Sequence, residues 1–118
     1  MSSFRAFDSD TLIKSSGQLI DINEWDKPAL NEMLEQLEAQ HGRDNITDIV
    51  CLLAEGVAKQ QFCVFNNKTQ AYTQALLVAH CYLSKISQQT EFQRDGLELD
   101  INLRPIDVHL KHVLGVAQ

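Results

Sequence analysis

The sequence predicts an α+β fold, in which three to four helices pack on a small antiparallel sheet. Several segments of the 118-residue chain repeat apolar residues every three or four positions, as amphipathic helices do. Residues 97–103, LELDINL, instead alternate apolar with polar side chains, which is typical of a half-buried strand. A single strand is unstable, so residues 62–65 or 18–22 are expected to pair with it. An all-α bundle with irregular connections is the alternative.

The chain is expected to form a single globular domain over residues 1–118. It is 44% hydrophobic and 22% charged, which is ordinary for a globular protein of this length. The sequence contains no internal repeat and no low-complexity tract. Residues 11–22 place short apolar runs on either side of SSG, a pattern that favours a hairpin or a strand.

The first helix is predicted over residues 27–41. Asp26 is a favourable N-cap, Pro28 lies in the first turn, and Gly42 can end the helix. The helix has an apolar stripe, and the opposite face is polar and mostly acidic. The stripe contains Leu30, Met33, Leu34 and Leu37, and the polar face contains Glu32, Glu35, Gln36 and Glu38.

The second helix is predicted from Asn45 to Lys59, with Asp44 as its N-cap. Gly56 lies on its apolar side, where a missing side chain allows another helix to approach closely. Cys51 lies on the polar side, so it is the most accessible of the three thiols for chemistry.

A short strand is predicted at residues 61–65, QFCVF, followed by a turn. Thr69 is the predicted cap of a long helix over residues 70–87. Its apolar stripe covers nearly half of the circumference, which predicts the central helix of the core. Leu76 and Leu83 are expected to be central core residues.

The last helix is predicted to begin at Pro105, and it carries His109 and His112 three positions apart. A structural zinc site needs four ligands and a catalytic one three, and the other candidate ligands are distant in sequence. His80 and Cys81 would point about 100° apart on a helix, so they do not form a chelating pair. We therefore expect no metal and no cofactor.

The charge of the chain is uneven. Residues 8–55 hold eleven acidic residues against three basic ones, a balance of −8, and residues 56–118 carry +1. Without a Lys/Arg cluster, binding to nucleic acid or to an anionic membrane is not expected. No secretory signal and no membrane-length apolar run is present. Three cysteines without a CxxC motif favour a reducing compartment, and hence the cytoplasm.

These observations favour a small protein-interaction module over an enzyme. Such a module would regulate, neutralise or escort a partner, as immunity proteins, antitoxins, secretion chaperones or adaptors do. We expect the partner to present a basic surface to Glu32, Glu35 and Glu38. An apolar surface that includes Phe4, Phe7 and Trp25 is the competing site, for a partner or a second copy of the chain.

The alternative class is a small enzyme or ligand-binding domain that uses a histidine and cysteine pocket. Its candidate residues are Cys51, His80, His109 and His112. Convergence of these side chains in a pocket would favour this class.

Overall fold

The computed structural model describes residues 25–42, 44–87 and 103–115. Within them the chain forms a helical bundle with no strand, so the prediction of an α+β fold is wrong and the all-α alternative fits. The four helices are α1 (Lys27–His41), α2 (Ile46–Ala58), α3 (Lys68–Ser87) and α4 (Arg104–Leu114).

The strand predicted at residues 61–65 is an irregular connection between α2 and α3. Burial does not alternate along it, because Phe62, Cys63 and Phe65 are all buried while Val64 is 79% exposed. Gln60 precedes it with a φ of +64°, which turns the chain sharply. The segment is held by its buried aromatic side chains and by the carbonyl of Phe62, which accepts from the backbone N–H of Asp26 at 2.9 Å.

The other strand predictions fall largely outside the described residues. Residues 11–22 are not among them, and of residues 97–103 the structure describes Leu103 alone, directly before α4.

The bounds of α1 confirm the sequence prediction, while the caps of the next two helices differ from it. The Asp26 carboxylate accepts from the backbone N–H of Ala29 at 3.1 Å, as an N-cap should. Asn45 takes the cap position of α2 that was predicted for Asp44. At α3 the side chain of Asn67, rather than Thr69, accepts from the backbone N–H of Gln70 at 2.8 Å.

The centre of the bundle is α2, which contacts α1, α3 and α4. At 100° per residue, its buried residues extend over about 200° of its circumference, so three helices can pack around it. The long helix α3 is therefore not the central element, contrary to the prediction. In the described part of the chain, α1 and α4 pack on α2 without contacting each other.

The stripe predicted for α3 is correct in outline. Leu83 is buried as predicted, whereas Leu76 is half-buried and packs at the edge of the core. Gln74 is buried on the same helix, although its residue type is polar. None of the helices described here is long and apolar enough to cross a membrane.

Gly56 lies on the buried side of α2, where the Met33 side chain of α1 packs against it. A Cβ atom at this position would lie 3.0 Å from Sδ of Met33 on α1 and 2.9 Å from Oε1 of Gln61. A side chain there would require the ends of the flexible Met33 and Gln61 side chains to move, so the glycine leaves room for them beside α2.

Candidate functional site

The outer face of α1 presents two of the three carboxylates predicted to bind a partner. Glu32 and Glu35 are exposed, and neither forms an ion pair within the residues that the structure describes. The buried residues of α1 lie on the opposite side, where they contact α2. Within the described residues, these two carboxylates are therefore not engaged by another helix.

Glu38, the third predicted carboxylate, has a different environment. It is half-buried, and its Oε2 accepts a hydrogen bond from the hydroxyl of Tyr82 at 2.9 Å. Tyr82 lies on α3 and is only 1% exposed. Glu38 thus links α1 to α3, and the expectation that it is simply displayed to solvent is wrong.

Of the three residues predicted to form the competing apolar surface, Trp25 is buried. Trp25 is 6% exposed, and its ring meets Phe65 edge-on with the ring centroids 6.3 Å apart. It belongs to the core and joins the start of α1 to the segment before α3. Phe4 and Phe7 lie outside the described residues.

A second group of charged residues lies at the seam between α2 and α4. The Glu55 carboxylate on α2 contacts two cationic or potentially cationic groups, one on each oxygen. Oε2 lies 2.7 Å from Nζ of Lys59, and Oε1 lies 2.8 Å from Nε2 of His109 on α4. The hydrogen bond from Lys59 is the main reason why the pKa of Glu55 is lowered; partial burial opposes the shift, and His109 adds to it.

A parallel arrangement joins α3 to α4 through Asp107. The hydroxyl of Tyr72 donates to Oδ1 of Asp107, and Nζ of Lys111 lies 3.3 Å from Oδ2. The hydrogen bond to the Asp107 carboxylate, with some burial, raises the pKa of Tyr72 to about 12. The same bond lowers the pKa of Asp107, helped by Lys111 and opposed by burial. An ionised carboxylate therefore forms each of these two cross-helix contacts, Glu55 with His109 and Asp107 with Tyr72.

The four residues of the enzyme alternative occupy separate environments. Cys51 is half-buried on α2, His80 is exposed on α3, His112 is exposed on α4, and His109 contacts Glu55. In the described part of the chain no hydrogen bond joins any two of the four. Burial raises the pKa of the Cys51 thiol, and nearby carboxylates on α2 add to the effect. This environment disfavours the thiolate that a cysteine nucleophile requires.

Potential metal ligands are dispersed as well. Among the described residues, no three His, Cys, Asp or Glu side chains form a group that could hold a metal ion. His80 is exposed whereas its neighbour Cys81 is 1% exposed, so these two side chains face different environments, as the helical geometry predicts.

An open depression of about 400 Å³ lies at the start of α3. Several of its polar groups are already bonded to one another: Oε1 of Gln70 accepts from the N–H of Asn66 at 2.8 Å, and Thr73 donates to the carbonyl of Thr69 at 2.9 Å. None of the four candidate catalytic residues lines it; its lining consists of Asn66, Asn67, Thr69, Gln70 and Thr73. The depression is therefore the outer surface of the first turn of α3, where side chains cap the helix by hydrogen bonding to its backbone.

The sequence pattern indicates the pairing of Glu55 with Lys59, but it gives no sign of the cross-helix contacts of Tyr72, Glu55 and Asp107. The i,i+4 spacings from Glu55 to Lys59 and from Asp107 to Lys111 are visible in the sequence. The contacts to His109 and Tyr72 span 54 and 35 residues, respectively, and no local pattern signals them.

Comparisons with protein-family models, with curated proteins and with solved structures found no match to this chain.

Proposed function

We propose that this chain is a cytoplasmic protein-interaction module that binds a partner protein through the outer face of α1. The partner presents a basic surface to Glu32 and Glu35, and binding regulates, neutralises or escorts it. Immunity proteins, antitoxins, secretion chaperones and adaptors are the classes that act in this way. Nucleic acid and membranes are not expected as partners, because the chain carries a net charge of −6 and no basic cluster.

The observation that carries this proposal is the contrast between engaged and unengaged carboxylates. Glu38, Glu55 and Asp107 each bind a side chain from another helix. Glu32 and Glu35 make no such contact with the described residues and lie within the half of the sequence whose balance is −8. Exposed carboxylates that serve no internal contact are suited to attract a basic surface and to orient it.

The enzyme alternative receives less support. Its four residues do not share a hydrogen bond, and they do not line the depression at α3. The raised pKa of Cys51 and the engagement of His109 by Glu55 both work against a cysteine–histidine pair. We therefore keep the interaction module as the single proposed function.

The test compares the wild type with the double variant Glu32→Gln/Glu35→Gln. Each protein is used as bait in native lysate, and a captured protein is purified for measurements of association rate over a range of salt concentrations. We expect a partner with a basic contact surface, an association rate lowered about two- to tenfold in the variant, and a flatter salt dependence. The dissociation rate should change less, because exposed charges act mainly on the encounter.

The matched control is Asp44→Asn/Asp48→Asn, which removes the same number of exposed carboxylates from positions outside α1. It should retain a faster association than the α1 variant. The proposal fails if the captured partner binds the α1 variant as fast as the wild type at every salt concentration. It also fails if both double variants slow association equally, since the effect would then reflect net charge alone.

A further inference from the structure

The contact between Glu55 and His109 is a cross-helix contact whose strength depends on a proton. Nε2 of His109 lies 2.8 Å from Oε1 of Glu55, and both side chains are half-buried, with 31% and 24% of their surface exposed. We infer that this pair is a proton-dependent latch, which strengthens the docking of α4 on α2 when the imidazole is protonated. The inference concerns α4 and is independent of the proposed binding face on α1.

The helix α4 is short, and it packs on both α2 and α3. It has 11 residues, and an isolated helix of that length is marginal in water. Ile106 and Leu110 are its fully buried side chains, whereas Val108 is 50% exposed. Polar contacts at the edges of this interface add to the docking free energy of α4. A change in one of them therefore alters how tightly α4 covers α2 and α3.

The charged groups around His109 leave room for the protonated form. On α2, Lys59 contacts Oε2 of Glu55, so that Oε1 remains available to the imidazole. From α3, Tyr72 approaches α4 but donates to Asp107 instead. By position along the two helices, the other titratable or charged residues within four positions of Glu55 or His109 are Cys51 on α2, and Asp107, Lys111 and His112 on α4.

Protonation changes the character of the contact. A neutral imidazole can donate its Nε2–H to the ionised carboxylate, and protonation adds the attraction between opposite charges to that hydrogen bond. Histidine is the side chain that ordinarily exchanges its proton between pH 5 and 8. The docked position of α4 should therefore become more favourable as the pH falls from 8 to 6, while Glu55 remains ionised.

The experiment measures amide hydrogen exchange of α4 by NMR at pH 8 and pH 6, with each rate divided by the intrinsic rate at that pH. In the wild-type chain, the protection of the α4 amides should rise about two- to fivefold on going to pH 6, the size expected for a partly exposed ion pair. The amides of α1, which does not contact α4, provide the internal reference.

Three variants identify the groups responsible. His109→Gln keeps a polar side chain that does not titrate, and Glu55→Gln removes the acceptor charge; each should abolish the rise. His112→Gln is the matched control, because it removes an exposed histidine from the same helix and should keep the wild-type response. The inference is overturned if His109→Gln retains the rise, if His112→Gln loses it, or if α4 and α1 respond equally to pH.

Discussion

The outer face of α1 and the seam between α2 and α4 both carry charged residues, but they use them differently. On α1, Glu32 and Glu35 project from the bundle and form no ion pair with the described residues. At the seam, Glu55 contacts both Lys59 and His109. Charge on a helix face therefore does not by itself indicate whether its side chains bind within the bundle or remain exposed. Their role depends on whether another helix lies across from that face.

The physical basis of the difference is solvation. An exposed carboxylate keeps its water and gains little from a nearby lysine, so surface ion pairs contribute at most about 1 kcal/mol. At the seam, helix packing removes part of the water around the charged side chains. Their hydrogen bonds and ion pairs replace the lost contacts with water. Glu38 is intermediate: it lies on the acidic helix, yet it accepts from the buried Tyr82.

The largest expected effect on stability comes from the buried apolar residues of α4. Leu110 is fully buried on α4, and Leu110→Ala should reduce the free energy of unfolding by about 2–5 kcal/mol because it leaves a cavity. Chemical denaturation monitored by circular dichroism would measure the loss. Val108→Ala, on the exposed side of the same helix, should change stability by less than about 0.5 kcal/mol. Similar losses in both variants would contradict the described orientation of α4.

An intermediate effect on stability is expected at Glu38, which lies on α1 but contacts another helix, as the residues of the seam do. Glu38→Ala removes an acceptor from the buried Tyr82 hydroxyl and should cost about 1–2 kcal/mol in the free energy of unfolding. Glu38→Gln keeps an acceptor oxygen and should cost less. Glu35→Ala, one turn earlier on the exposed face, is the control and should have little effect. Equal stabilities for Glu38→Ala and Glu35→Ala would place Glu38 on the exposed face after all.

The smallest effect concerns the acid limb of the stability profile. The pKa of Glu55 is lowered in the folded chain from its ordinary value of 4.5. Its contribution is therefore fully present above about pH 5 and is lost as the pH falls through the folded-state value. Thermal unfolding between pH 6 and 3 should show a shallower decline for Glu55→Gln than for the wild type, by about 1–4 °C. Glu32→Gln/Glu35→Gln should keep the wild-type slope; a flattened slope in that variant would remove the distinction between the two regions.

Helical periodicity predicted most of the described architecture. The prediction for residues 27–41 matches α1, because a strong N-cap, a proline in the first turn and a terminal glycine all agree there. The strand prediction for residues 61–65 is wrong because a short run of aromatic and β-branched residues has the composition of a strand whether or not it pairs. In the structure its side chains fill the space between helices.

The candidate sites were less predictable than the helices. Exposure of Glu32 and Glu35 follows from their positions opposite Leu34 and its neighbours, so periodicity alone is sufficient. The burial of Trp25 could not be predicted in this way, since it precedes the first helical turn and its position depends on Phe65, forty residues later. Nor does periodicity indicate which half-buried polar residues will meet.

The positions of the four described helices and the apolar side of each could be predicted from the sequence alone, because these properties depend on residues within a few positions of one another. The central position of α2, the burial of Trp25 and the contact between His109 and Glu55 emerge only when the helices assemble. Such contacts depend on how the apolar faces assemble in three dimensions. The spacing of residues along the chain carries no direct record of that assembly.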